Sequence, residues 1–297
     1  MAENNSNETI SNIIDWSQFR IERNKNSSDL RIIEHLDKIK SEVKKKTGKS
    51  IGEFKPSFLE RRISYRMKII GILNGEEYAK LLSNSWEEAE LLYAAFSINV
   101  TKFFRDPQVW KRLEEEIIPK LITKSSRSSV YAWSCGSASG EEPHSISISL
   151  NNLLNDKKRD YLVYANDINS DAISRAKKGI YRKENLVNVN TERLKNCFVE
   201  DHHGNYQVTS EIRNKIKFEN IDMMKSSEKL FDIIFCRNVL IYYEKESHEL
   251  IYQKFHESLK KDGVLVLGQD ESMIGTKGNY FFETLYPKER IYKKRSL

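Results

Sequence analysis

Two periods divide the chain. From residue 29 to residue 98 the apolar positions recur every three or four residues, the spacing of amphipathic helices. From residue 99 onward, short β-branched and aromatic runs alternate with helical ones. Strands are predicted at 130–134, 161–166, 216–220, 231–236, 264–268 and 290–293, and helices at 106–122, 141–154, 170–177 and 245–260. Strands alternating with helices define an α/β fold, a doubly wound, mainly parallel sheet with helices on both faces. Cys197-Phe198-Val199 and Tyr206-Gln207-Val208 flank the turn Asp201-His202-His203-Gly204-Asn205, which predicts a small antiparallel hairpin inserted at about 196–216. Residues 1–28, rich in Asn, Ser and Glu, read as a mobile leader in which Trp16, Phe19 and Ile21 dock at most one short turn. The expected organisation is a leader at 1–28, an all-helical N-terminal domain at 29–98 and an α/β domain at 99–297.

The stretch 57–70 is the most informative helix. On a helical wheel Leu59, Ile63, Met67 and Ile70 form a core stripe, Arg62 and Arg66 fall beside it, and Arg61 and Lys68 fall further round. The helix is expected to bury one side, to present all four cations to a partner's carboxylates, and to stand clear of the loops at the sheet's carboxyl edge. Charge supports a basic surface here. The whole chain carries +6, while residues 36–70 hold eleven Lys/Arg against four Asp/Glu. Such a patch suits nucleic acid, an anionic membrane surface or an acidic protein, and equally a solvated helix face.

Composition narrows the setting. Of 297 residues 39% are hydrophobic and 31% charged, enough for a sizeable core and too apolar for a disordered chain. Three cysteines make no disulfide framework, which points to a reducing, intracellular setting, and Cys135, Cys197 and Cys236 read as core residues. No apolar run approaches the roughly 18 residues of a membrane span, and the N-terminus has no signal-peptide pattern.

The first βα turn, Ser134-Cys135-Gly136-Ser137-Ala138-Ser139-Gly140-Glu141-Glu142-Pro143, lets a ligand approach the backbone closely. It has neither G-x-G-x-x-G nor G-K-[ST], and its two acids favour a cationic ligand over a pyrophosphate. Asp167, at the tip of the second strand, stands where ribose hydroxyls bind in this architecture. Asn169 and Ser170 offer the next helix its cap, which leaves Asp167 spare. A nucleoside site without a phosphate cradle points to S-adenosylmethionine rather than NAD or ATP. The apolar strand 231–236 delivers Arg237 and Asn238 at its carboxyl end, where Arg237 needs an anionic partner, a ligand or an internal salt bridge. The pair His202-His203 has no third ligand at metal spacing, so no metal is expected.

The run 99–105, the loop 133–143, Asp167 and Cys236-Arg237-Asn238-Val239-Leu240-Ile241-Tyr242 together resemble, in order and spacing, the CheR family of chemotaxis receptor methyltransferases. The resemblance covers roughly residues 40–294. It implies a cytoplasmic, monomeric protein-glutamate O-methyltransferase with S-adenosylmethionine as methyl donor. Its acceptors would be glutamates in the helical bundle of methyl-accepting chemotaxis receptors, the products glutamate methyl esters and S-adenosylhomocysteine. It implies cofactor contacts at Asn99, Thr101, Arg105, Glu142, Asp167, Asp222, Met223, Arg237 and Asn238, and catalytic roles for Arg105, Tyr242 and Arg237. Receptor docking would use Arg61, Arg62, Arg66 and Lys68. Three positions depart from the family: Asp222 replaces Asn, His144 replaces Tyr and Asn169 replaces a second acid. The short Asp201–Asn205 turn argues against gripping a receptor's tether peptide. Other readings are an S-adenosylmethionine-binding regulatory module without turnover and a methyltransferase of a non-receptor acidic partner. Nucleic-acid methylation is disfavoured, because Arg237-Asn238-Val239-Leu240 replaces the Asn/Asp-Pro-Pro-Tyr/Phe motif of amino-methylating enzymes.

Overall fold

The computed structural model describes residues 28–98, 100–124, 129–154, 159–225 and 229–297. The leader expected at 1–28 therefore lies, but for its last residue, outside the described residues. Four helices come first, α1 (Ser28–Thr47), α2 (Pro56–Ile70), α3 (Gly75–Asn84) and α4 (Trp86–Ala94). Local chemistry fixes their ends. Pro56 opens α2 and Gly71 closes it in a left-handed conformation (φ 75°), while the Asn74 and Ser85 side chains cap α3 and α4.

The expected helix at 106–122 is α5 (Pro107–Arg112), a π-helical turn (Leu113–Ile117) and α6 (Ile118–Lys124). The ring of Pro119 would clash with the carbonyl of Glu115 in a regular α-helix, and the wider π turn falls there. Strands and helices then alternate: β1 (Ser129–Cys135), α7 (Glu141–Leu154), β2 (Asp160–Asp167), α8 (Ser170–Lys178), β3 (Ile180–Tyr181), α9 (Thr191–Cys197), β4 (Phe198–Glu200), β5 (Tyr206–Val208), α10 (Ser210–Arg213), β6 (Ile216–Asn220), β7 (Phe231–Cys236), α11 (Lys245–Ser258), β8 (Leu259–Leu267), α12 (Gly278–Phe281), β9 (Phe282–Tyr286) and β10 (Ile291–Lys294).

The main sheet runs β6-β2-β1-β7-β8-β10-β9. Its first five strands are parallel and its last two antiparallel, so the fold class is the expected one. Three details differ from the expectation. The helix predicted to reach residue 260 ends at Ser258, because Leu259 and Lys260 open β8, where the Lys260 ammonium meets the Asp232 carboxylate at 2.6 Å. The edge strand β9 has no counterpart in the predicted pattern. The predicted hairpin is present as β4 and β5, but β3 pairs with β5 to make three strands in the order β3-β5-β4.

The helical domain shares a core with the sheet. Ile39, Leu59, Ile63, Tyr78 and Leu92 belong to the same buried cluster as Trp133, Ile234, Tyr252 and Leu265. A second cluster covers the other face, with Trp110, Ile146, Leu150 and Val163 joined to Phe198 and Val208 of the small sheet. All six residues of β7 are buried between these layers. Burial on both faces fixes the heights of the strand tips and hence of the loops they carry.

Candidate functional site at the carboxyl edge of the sheet

A cavity of about 360 Å³ opens over the carboxyl ends of β1, β2 and β7. Its walls include the junction residues Thr101 and Arg105, with Glu142 and Asp167 from the strand-one and strand-two loops. Asp222 and Met223 follow β6, and Arg237, Asn238 and Tyr242 follow β7. Every sequence-predicted cofactor residue is therefore gathered here except Asn99, which lies outside the described residues. Phe54, Phe96 and Ser97 of the helical domain complete the wall.

Asp167 is buried, and protein donors hold it. Its Oδ1 accepts from the Ser97 hydroxyl (2.8 Å) and the Asn169 N–H (2.9 Å), and its Oδ2 accepts from the Ala138 N–H (2.8 Å). Burial pushes its carboxyl up, and these hydrogen bonds oppose that. Asn169 caps α8, as the sequence predicts. Asp222 accepts from the Met224 N–H (2.8 Å) and from the hydroxyl of Tyr93 in α4 (3.2 Å). Ser97 and Tyr93 thus tie the helical domain to two acids of the cavity. Sequence reasoning missed both, because each contact joins positions far apart in the chain.

The backbone bends sharply around this space. Phe104, Asp106, Ala138 and Asn238 all adopt positive φ between 48° and 60°, a conformation that costs a non-glycine residue free energy. Gly136 (φ 68°) is required, since a Cβ there would stand 2.7 Å from Val239 Cγ2.

Arg237 has the internal partner that its position demands. Its side chain is 2% exposed, and its Nη2 donates to Asp106 Oδ2 (2.6 Å) and the Arg105 carbonyl (3.0 Å). Its Nη1 lies 3.5 Å from Glu142, whose other oxygen accepts from the Ser134 hydroxyl (2.8 Å). The expected catalytic Arg237 thus lines the cavity with Asp106 and Glu142 against its guanidinium, while its buried Nε has no hydrogen-bond partner. Arg105 is the opposite case. It is half-buried on the cavity wall and makes no ion pair among the described residues.

The basic helix α2 needs correction at two residues and in its placement. Arg66 is bound through two hydrogen bonds to Glu88 (2.9 and 2.5 Å), which also accepts from the Tyr78 hydroxyl (2.8 Å). Its charge is spent inside the helical domain. Arg62 is 7% exposed rather than outward-facing, and burial together with Arg61 lowers its pKa to about 10. Arg61 and Lys68 are exposed as expected. Nor does α2 stand clear of the site. Phe58 stacks on Tyr242 with ring centroids 4.7 Å apart, and Lys55 is bonded to the carbonyls of Tyr242 (3.0 Å) and Ile241 (2.7 Å). The Arg61 and Arg62 guanidiniums both lie over the Phe58 ring, at 5.6 and 5.5 Å. Burial raises the Tyr242 hydroxyl's pKa, and Arg62, Arg61 and Arg105 pull it back.

Among the described residues no group of three or more His, Cys, Asp or Glu is placed to hold a metal ion, and no helix is long and apolar enough to cross a membrane. His144 is buried, bonded to the Gly140 carbonyl (2.7 Å) and the Tyr181 hydroxyl (2.9 Å), and its pKa is lowered to about 4 by burial. It is a neutral link between the first loop and β3.

A mainly parallel sheet with a nucleoside-sized cavity at its carboxyl edge and no phosphate motif is the architecture of a methyltransferase. Residues 99–286 match the family described as "CheR methyltransferase, SAM binding domain", and residues 34–97 match "CheR methyltransferase, all-alpha domain". The chain belongs to the CheR methyltransferase family. It is 33% identical over 249 residues to the chemotaxis protein methyltransferase of Listeria innocua, covering 81% of this chain and 93% of that protein. The Borreliella burgdorferi chemotaxis protein methyltransferase is 31% identical over 253 residues, covering 81% of this chain and 89% of that protein. For the Escherichia coli chemotaxis protein methyltransferase the identity is 28% over 247 residues, 80% of this chain and 84% of that protein.

Proposed function

We propose that this chain is a cytoplasmic protein-glutamate O-methyltransferase that esterifies glutamate side chains of methyl-accepting chemotaxis receptors and so tunes their adaptation. One observation carries the reading. A single cavity joins acids that have protein donors to Arg105, a cation with no ion pair among the described residues, with the Tyr242 ring beside it.

The residues fit S-adenosylmethionine. Asp167, at the tip of β2 on the cavity wall, would face the ribose hydroxyls, and Asp222 and Met223 would flank the adenine. Glu142, Asn238, Thr101 and Asn99 would complete the holding set. When bound, the cofactor supplies a methyl group activated on a sulfonium. The acceptor needs no general base, since a glutamate with a reference pKa of about 4.3 is ionised at neutral pH. Arg105 pairs with the acceptor's carboxylate. Tyr242, kept protonated by burial, donates its hydroxyl to the same region. The chain's contribution is position and exclusion of water from that carboxylate.

Docking falls to the outer face of α2, through Arg61 and Lys68 rather than the four cations first expected. Because Phe58 touches Tyr242, a receptor helix lying along α2 meets the cavity mouth. The test is methyl transfer from radiolabelled S-adenosylmethionine to chemoreceptor-containing membranes. Label released by mild alkali from the receptor band is the expected result, because carboxyl methyl esters hydrolyse in base. Alkali-stable label, or none, contradicts the reading.

A further inference from the structure

Glu271 follows β8 in a loop that no motif marks, and it is 3% exposed. Its Oε1 accepts from the N–H groups of Val239 (2.7 Å) and Leu240 (2.7 Å), and its Oε2 from those of Asn238 (3.0 Å) and Gly268 (2.5 Å). Three of these donors are consecutive residues of the turn after β7. That turn has Asn238 in the left-handed region (φ 60°), where successive N–H groups converge on one point. Such a concavity is an anion-binding nest, which in many proteins holds a ligand's phosphate. Here the chain's own carboxylate fills it.

We propose that Glu271 is a positioning residue for methyl transfer: by filling the nest at the tip of β7 it sets the loop that carries Arg237, Asn238 and Tyr242 to the cavity. The proposal rests on the functional reading above, in that this loop serves cofactor and acceptor. An ionised carboxylate meets four donors with four acceptor positions, whereas a protonated one would turn an O–H toward an N–H. The ionisable groups that face Glu271 are Cys236 at the end of β7, Tyr242 of the loop, Tyr252 of α11 and Tyr292 of β10. No basic side chain pairs with it among the described residues, so the nest itself carries the compensation. Gly268 belongs to the device. A Cβ there would lie 2.7 Å from the Asn238 nitrogen and 2.8 Å from Glu271 Oε2. With the nest full, an anion entering the cavity is left to cations on its wall such as Arg105 and Lys102.

The test compares Glu271→Gln with wild type for S-adenosylhomocysteine affinity by calorimetry and for turnover at saturating cofactor. The shape is kept, but an amide –NH₂ now faces backbone donors. A folded variant, judged by circular dichroism and cooperative unfolding, is expected to lose both affinity and turnover at least tenfold. A folded Glu271→Gln with wild-type values for both overturns the proposal. A second measurement needs no variant. On acidification of the wild-type protein, the Glu271 carboxyl resonance and the amide resonances of Asn238, Val239, Leu240 and Gly268 should share one midpoint. Amides that hold their shifts while the carboxyl titrates overturn the nest. Failure of the wild type to bind S-adenosylhomocysteine would defeat the functional reading and leave this nest test standing.

Discussion

The two walls of the cavity handle charge in opposite ways. On the acid wall three carboxylates are held before any ligand arrives: Asp167 by two N–H groups and a hydroxyl, Asp222 by an N–H and a hydroxyl, Glu142 by Ser134 and Arg237. On the basic wall stand Arg105, beside Tyr242, and Lys102, and neither makes an ion pair among the described residues. Side-chain position on the acid wall is settled by folding. Charge on the basic wall awaits an anion from outside. Residue type does not decide which arginines belong to which group. Arg66 and Arg237 are compensated by internal acids, and Arg105 is not.

The contrast breaks most sharply at a compensated arginine. Arg66→Ala strands the buried Glu88 carboxylate and should cost about 3–5 kcal/mol of stability, measured by denaturant unfolding. Turnover of the folded fraction should be unchanged, and a loss of turnover in the folded variant would return Arg66 to the reaction.

A buried acid next to the cavity, outside its lining, shows a pH dependence. Glu141, buried beside the first loop, has its pKa raised from the ordinary 4.5 to about 7, chiefly by burial. Between these values the folded chain holds a proton that the unfolded chain has released. The contribution of Glu141 to stability is therefore fully present below pH 4.5 and is lost as pH rises through 7. Relative to wild type, Glu141→Gln should gain about 3 kcal/mol over this window, read from unfolding at several pH values. A stability difference that stays flat with pH contradicts the buried, protonated carboxyl.

The outer face of α2 gives the smallest effect. Reversing Arg61 and Lys68 to Glu should reduce receptor methylation by about 1 kcal/mol or less in apparent activation free energy, and added salt should mimic the loss in wild type. Equal rates in the double reversal at low salt would remove α2 from docking.

What the sequence makes legible follows from how local each signal is. The helix Glu141–Leu154 and the strands Ile216–Asn220 and Phe231–Cys236 have the bounds that the pattern predicts, because acids, a proline and apolar runs mark them locally. Glu142, Asp167, Arg237 and Asn238 were legible for the same reason, since they sit at strand ends whose spacing the fold fixes, whereas Thr101, Arg105, Asp222, Met223 and Tyr242 were legible only through the resemblance to the CheR family. Arg62 and Arg66 lay at the margin of the wheel's apolar stripe, and their fate depended on what lay opposite. Glu88 of α4 takes one, and the Phe58–Tyr242 stack flanks the other. Glu271 escaped notice because its partners are backbone N–H groups as many as 33 residues away, and backbone donors leave no mark in a sequence.

The division of labour between the walls is tested most directly by comparing Asp167→Ala with Arg105→Ala in two readouts, S-adenosylhomocysteine affinity and methyl transfer at saturating cofactor. Asp167→Ala should weaken affinity by about 1–3 kcal/mol, and saturating cofactor should restore much of its transfer. Arg105→Ala should keep affinity within a few-fold and lose transfer by roughly a hundredfold, the scale of one electrostatic contact at a reacting centre, without restoration by cofactor. Two variants that lose affinity and transfer in the same proportion would contradict the account, because the walls would then act as one binding surface.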